Sequence, residues 1–389
     1  MLRSLTLICF GLSLSADDTL QKAFEDGNIN AQMQLFYYNI DKKNGSNIYA
    51  TSAGGYLKYT TNTKNPFFAS MRFHTSNPII NSKSKEKTDL FKTDGRPLTA
   101  ISESFLAYKT KTRILKIGNF MLNTPMMNDD TTRIVPWSYR GFAYTAESIK
   151  DLKVQLYYID AIRSNTSDKY NKQSASGEFD NITMFSLHYN GINGLKTQAY
   201  YYYSPKLYST FVAQGDYERA LDADTLICFG MQYFKSGNGG KYANTEDKNG
   251  GDDINLVALR SSIDAKNWSL SLNYSQNFGL SGVVKGYGGL AKVYTTSMIA
   301  NGRGAFKPET WMLKASHDLN LGDYQSEVAL TLTDTQAKDK RGDDFNAYYL
   351  HFKHFFTKEA SIYLRYESLK FASSIKDANY FRAIASYKF

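Results

Sequence analysis

Apolar residues recur at every second position over most of this chain. Ile29, Ala31, Met33, Leu35 and Tyr37 alternate with Asn30, Gln32 and Gln34. Leu152, Val154, Leu156 and Tyr158 alternate with Lys153, Gln155 and Tyr157, and Trp268, Leu270, Leu272 and Tyr274 with Ser269, Ser271 and Asn273. Near the C-terminus Tyr324, Ser326, Val328, Leu330 and Leu332 follow the same rule, as do Ile362, Leu364 and Tyr366. A strand sends successive side chains to opposite faces, so each segment has one apolar and one polar face. One sheet of a soluble sandwich carries that pattern too, so periodicity alone does not place these strands in water or in lipid.

Three further features place them in lipid. Aromatic residues cluster at strand ends, at Phe36-Tyr37-Tyr38, Tyr200 to Tyr203, Tyr348-Tyr349 and Phe355-Phe356, as in the two girdles of a membrane barrel. Connections alternate in length. Short turns fall near Thr61–Asn65, Thr110–Lys111, Ser148–Lys150, Asn190–Asn193, Asp264–Lys266, Asn320–Gly322 and Phe356–Lys358. Long polar loops lie near Ser76–Leu98, Met121–Ser138, Ser164–Asp180, Ser236–Asp252, Asn277–Lys307 and Asp334–Asp344. Finally, Phe381, Ala383, Ala385, Tyr387 and Phe389 share one face of a last apolar segment, which reads as the closing strand, with Phe389 at its end. The expected fold is all-β: a transmembrane, antiparallel up-and-down barrel of about 18 strands around an aqueous lumen. The alternation breaks twice. The connection at Ser204-Pro205 is short where a long one is due, and a long turn is expected over Gly215–Asp224.

Composition removes the competing classes. Among 389 residues there are 30 Tyr and 24 Phe, and 42% are hydrophobic. Disorder goes with few aromatics and too little apolar surface to offset chain entropy. Mean hydropathy is −0.44, and past the N-terminus no apolar run approaches the ~20 residues of a spanning helix. The aromatic excess is expected mostly as a lipid-facing band with two interfacial belts. Cys9 and Cys228 are the only cysteines, which excludes a disulfide framework. Arg3, the apolar run Leu5 to Leu14, and Ser13 and Ser15 ahead of Ala16 read as a secretory signal peptide over 1–15. The barrel then occupies 16–389, and loss of Arg3 lowers the net charge from +9 to +8.

Two stretches carry a resemblance to a known family. One is Asp18-Thr19-Leu20, Ala23-Phe24 and Gly27, running into the first strand as far as Asp41. The other is Lys116-Ile117-Gly118-Asn119-Phe120, Asn123-Thr124-Pro125, Asp129 to Pro136 (DDTTRIVP) and Gly141. In these residues, and in layout over essentially the whole mature chain, the sequence resembles the OprD-type outer-membrane porins, especially those of epsilon-class bacteria. The resemblance implies an 18-stranded barrel with a constriction loop folded into the lumen at about 121–138. It implies passive uptake of small hydrophilic solutes, often carboxylates, past a ladder of basic residues.

Parity assigns faces without the family. Residues out of phase with the apolar set are expected inward: Arg72, Lys116, Lys153, Lys196, Arg260, Lys314, Lys353, Arg365 and Arg382, with the acids Glu327 and Glu367. Charge on the lipid face would cost about 2–4 kcal/mol at the midplane. Rings of Lys or Arg favour anions, so the excess of inward cations predicts an anion or carboxylate preference. Within the constriction loop Asp129, Asp130 and Arg133 admit two readings. They set opposite charges across the eyelet, with Arg133 gripping a carboxylate, or they tether the loop to the wall.

No enzyme chemistry is visible in the sequence. His351 and His354 are three apart on a strand and point to opposite faces, so no metal site follows, and no cofactor is called for. The charge is spread through strands without the patch that nucleic acid requires. Membrane lipid and lipopolysaccharide are the expected surroundings, and Asp252-Asp253 and Asp343-Asp344 read either as bridges of divalent ions to the latter or as the acid pairs that solvated loops ordinarily carry. Monomer and homotrimer stay open. The alternative function is a barrel-anchored structural or adhesive surface protein without a conducting pore.

Overall fold

Eighteen antiparallel strands close on themselves in the computed structural model, which describes residues 22–389 except 83–87, 172–180, 206–207, 239–253, 280–285, 297–306, 323 and 339–341. The expected signal peptide, with Cys9, and the pair Asp252-Asp253 lie outside the described residues. The strands are β1 (Asn28–Lys42), β2 (Ile48–Thr60), β3 (Phe67–Asn81), β4 (Leu98–Lys109), β5 (Arg113–Phe120) and β6 (Ser138–Ile149). There follow β7 (Leu152–Arg163), β8 (Ile182–Ile192), β9 (Leu195–Tyr203), β10 (Tyr208–Ala220), β11 (Thr225–Asn238) and β12 (Asn255–Ala265). The last are β13 (Trp268–Asn277), β14 (Pro308–Leu321), β15 (Tyr324–Ala337), β16 (Phe345–Phe355), β17 (Ala360–Phe371) and β18 (Ala378–Lys388).

Each strand pairs with its chain neighbours, and β18 pairs with β1 from Gln32↔Lys388 to Lys42↔Ala378. The Phe389 amide then donates to the Ala31 carbonyl at 2.9 Å. Closure leaves no unpaired edge, the condition for a sheet in hydrocarbon, where each unsatisfied backbone group costs several kcal/mol. Both ends of the sheet lie at the rim of short turns.

Three borders differ from the sequence pattern, the first being β3, which runs to Asn81 and so into the loop expected from Ser76. Strand β10 runs to Ala220, so the expected long turn over Gly215–Asp224 shrinks to 221–224. Gly215 pairs within the ladder with Met231 and Thr197, and its missing side chain disguised a continuous strand. Strand β15 runs to Ala337, well into the expected loop Asp334–Asp344. Polar Thr333 and Thr335 face inward there, so the strand outlasts its apolar signal.

Faces divide by parity. Met33, Leu35, Leu57, Met71, Leu106, Ile117, Leu270 and Leu350 are exposed on the outer surface. The aromatics form two populations, which corrects the expectation of a mostly outward band. Tyr201 and Tyr203 are exposed outside, whereas Tyr200 and Tyr202 are buried inside. Phe36, Tyr38, Phe120, Tyr139, Tyr157, Phe234 and Tyr349 are also buried inward. They form two clusters with residues of the inward loops, Leu122, Met126 and Met127 in one and Ile134 in the other. A loop folded into a wet lumen needs apolar partners to hold it, and every second aromatic supplies one.

Candidate functional site

The constriction loop, residues 121–137, leaves β5 at Phe120 and returns to β6 at Ser138. Its first half is a tight turn: the Thr124 hydroxyl donates to the Met127 carbonyl at 2.8 Å and accepts from the Met127 amide at 3.2 Å. Tyr139 donates its hydroxyl to the Asn128 carbonyl at 3.0 Å. The loop closes on itself where the Trp137 amide donates to the Asp129 carbonyl at 2.7 Å. Its far end is pinned by Arg163, which is fully buried. That guanidinium donates to Ser138 Oγ at 3.0 Å, the Pro136 carbonyl at 2.8 Å and the carbonyls of Ser164 and Ser167 at 3.1 and 3.0 Å. Four bonds from one rigid fork join the far end of this loop to the start of the β7–β8 connection.

Within this loop the charges are not equivalent. Asp130 accepts from the Thr132 amide at 3.3 Å and sits at φ 43°, a conformation Asp tolerates better than most residues. Arg133 stacks on the Tyr38 ring at 4.9 Å and donates to the Thr132 carbonyl at 3.0 Å. Its Nε is sealed from solvent and has no hydrogen-bond partner among the described residues. Burial pulls its pKa down, and Tyr38 and Asp89 act in the opposite sense. Asp129 has its carboxyl pushed up by burial, with Lys292 pulling it back.

Lys292 belongs to a second inward segment, 286–296 of the β13–β14 connection, within the long polar loop expected near Asn277–Lys307. It is bonded to the constriction loop through the backbone. The Tyr287 amide donates to the Met126 carbonyl at 2.7 Å, the Lys292 amide to the Pro125 carbonyl at 2.9 Å and the Asn128 amide to the Gly288 carbonyl at 3.1 Å. Tyr287 also stacks on Tyr202, ring centroids 5.5 Å apart. The segment is latched to the wall at Tyr294, whose hydroxyl donates to Asp216 Oδ1 at 2.6 Å. The same oxygen meets Arg260 at 2.7 Å. Gly230 keeps the space: a Cβ there would lie 2.6 Å from both Asp216 Oδ1 and the Tyr294 hydroxyl.

The eleven charges expected inward all lie out of phase with the exposed apolar residues of their strands. Arg72 meets Glu103 Oε2 at 3.0 Å and stacks on Tyr56 at 4.6 Å. Lys196 pairs with Glu218 at 2.7 Å. Arg365 lies over Tyr349 at 4.9 Å, 3.3 Å from Glu367, and opposite Arg382 in register. Arg382 lies over Tyr38 at 4.5 Å and donates to its hydroxyl at 3.1 Å. Tyr38 therefore carries a guanidinium from the wall and another from the loop. Lys116 lies over Phe105 at 4.8 Å and Lys353 over Phe355 at 4.6 Å. Glu327 lies 3.6 Å from His351. Among the described residues Lys116, Lys153, Lys314 and Lys353 hold no ion pair.

Sequence reasoning missed four participants besides Lys292 and Tyr294. Lys58 meets Glu103 at 3.0 Å, and its alternation with Leu57 and Tyr59 is the signal that finds it. Glu103 follows a register shift in β4 opposite Arg72/Phe73, which breaks the parity rule. Asp216 fell in the supposed turn. Arg163 ends β7, where the pattern is fading. Asp343 and Asp344 are occupied with local chain: Asp344 accepts from the Ala337 amide at 2.7 Å, and Asp343 from the amide and hydroxyl of Ser373.

Comparison with known proteins agrees with this architecture. Residues 79–324 match the family model described as outer membrane porin, OprD family. Among solved structures, Pseudomonas aeruginosa OpdK superposes with a TM-score of 0.81 at 16% identity, covering 94% of this chain and 99% of that one. Acinetobacter baumannii OccAB4 gives 0.81 at 16% identity, covering 94% and 98%. OpdK solved with vanillate gives 0.79 at 16% identity over 94% and 99%. No curated protein matches the chain in sequence.

Proposed function

Because the chain belongs to the OprD family of outer-membrane porins, and so forms a channel through which small solutes pass, we propose that its channel prefers anions, carboxylates first. The observation that supports this is the balance of charge along the wall. Among the described residues Lys116, Lys153, Lys314 and Lys353 hold no ion pair, and the acids Glu103, Asp216 and Glu218 are each already engaged by a cation. Lys314 stands within electrostatic reach of Arg365 and Arg260, and on the arc of wall from β12 to β18 the cations expected inward (Arg260, Lys314, Lys353, Arg365 and Arg382) outnumber the acids expected inward (Glu327 and Glu367). A narrow low-dielectric passage focuses such a field. The structural neighbour OpdK was solved with vanillate, a carboxylate. On this reading the chain is exported by the segment 1–15, and 16–389 is the mature channel.

Reversal potential across a planar bilayer under a KCl gradient tests the proposal. Anion preference is expected, and a clear cation preference overturns it. Liposome swelling with matched carboxylates, sugars and amines then ranks the solutes, with carboxylates expected to enter fastest for their size.

A further inference from the structure

The constriction loop does not itself offer a free cation to the lumen. Arg133 is stacked on Tyr38 and bonded to Thr132, which leaves it tethering the loop. The second inward segment does offer one. Across 291–295, Ala291, Val293 and Thr295 are buried while Lys292 is exposed. Burial alternates along these five residues, so Lys292 projects to the open side. Its ammonium donates to Asn123 Oδ1 of the constriction loop and is the first opposite charge that Asp129 senses. Its backbone is held from both sides: the amide donates to the Pro125 carbonyl at 2.9 Å, and the carbonyl accepts from Gln232 Nε2 at 3.1 Å. Gln232 Oε1 in turn accepts from the Tyr294 amide at 2.9 Å. A backbone held by these bonds gives the Lys292 charge a defined position beside the constriction loop.

We propose that Lys292 is the specificity-determining cation that a permeating anion meets beside the constriction loop, across from Asp129. The inference deepens the anion reading above and rests on it for the class of solute, a carboxylate or other small anion. Lys292 attracts the anion and Asp129 limits how strongly it is held, which suits a site that must release what it binds.

The test compares the intact channel with Lys292→Gln and Lys292→Arg under a KCl gradient, with folded-barrel gel mobility checked for each. Lys292→Gln is expected to lower the chloride-to-potassium permeability ratio by about twofold or more, and Lys292→Arg to retain it. If Lys292→Gln assembles poorly, Lys292→Cys in a Cys228→Ser background replaces it. A cationic thiol reagent should then raise the ratio and an anionic one lower it. An unchanged ratio in Lys292→Gln, or no effect of either reagent, overturns the inference. The sign of the wild-type preference is a separate result: it decides the anion reading, whereas the shift on substitution decides the place of Lys292.

Discussion

The phenol of Tyr294 donates to Oδ1 of Asp216 at 2.6 Å, joining a loop inside the channel to the wall of β10. Burial and the Asp216 carboxylate push the Tyr294 phenol above its usual range, so it stays a donor at any physiological pH. Tyr294→Phe removes the latch but leaves Asp216 bonded to Arg260 at 2.7 Å and to Gln214 at 2.6 Å. No charge is orphaned, and the expected stability loss is only about 1–2 kcal/mol. The loop, however, loses its one bond to Asp216. Single-channel records should show added flicker and substates, with the heat-induced gel-mobility transition lowered slightly.

Arg133 is expected to affect the barrel more than the solute. Arg133→Ala removes a guanidinium from the face of Tyr38, a contact worth about 1–2 kcal/mol when desolvated. Arg382 remains on the same ring. The variant should lose thermal stability while its reversal potential stays close to that of the wild type. The opposite result, a large change in selectivity in an equally stable barrel, would move Arg133 from tether to eyelet.

These two residues also mark where the sequence was legible and where it was not. The barrel was readable because a strand's faces follow parity, and lipid enforces an apolar outer face along the whole segment. Lys314 and Arg365 could be assigned inward from Leu313 and Leu364 alone. The second inward segment was not readable, because its place depends on backbone bonds between residues such as Met126 and Tyr287, far apart in sequence. A local signal existed: Tyr287, Leu290, Val293 and Tyr294 are too apolar for a solvated loop. The aromatic belts were half-read for a related reason. In a run such as Tyr200 to Tyr203 both faces carry the same residue type, so period two gives no contrast.

Gly55 supports a direct test of the fold. It sits at φ +144° in β2, and a Cβ there would come within 1.8 Å of the Gln32 carbonyl oxygen on β1. The obstacle is backbone, so no rotamer change relieves it, and the positive φ adds strain for any L residue. Relief requires parting β1 from β2 beside the β1–β18 closure. Gly55→Val is expected to abolish the heat-modifiable folded band, whereas Gly215→Ala, with nothing within 4 Å of its Cβ position, should assemble normally.

The eyelet should respond to pH from both sides. Burial raises the pKa of Asp129, so its carboxylate takes up a proton above the usual aspartate range as pH falls. That removes a negative charge facing Lys292, and anion preference should rise on the acid side of neutrality. Partial desolvation against the constriction loop lowers the pKa of Lys292, so its ammonium loses its proton below the usual lysine range as pH rises. Anion preference should therefore fall on the alkaline side sooner than an ordinary lysine allows. Asp130 and Arg72 also act on Asp129, and other lumen carboxylates titrate in the acid range, so the wild-type curve alone does not isolate it. Asp129→Asn does: it should raise the preference at neutral pH and flatten the acid limb while leaving the alkaline limb in place. Reversal potentials between pH 5 and 10 or so, at low salt where screening is weakest, would show the acid limb unchanged in Asp129→Asn if this carboxylate were remote from the path.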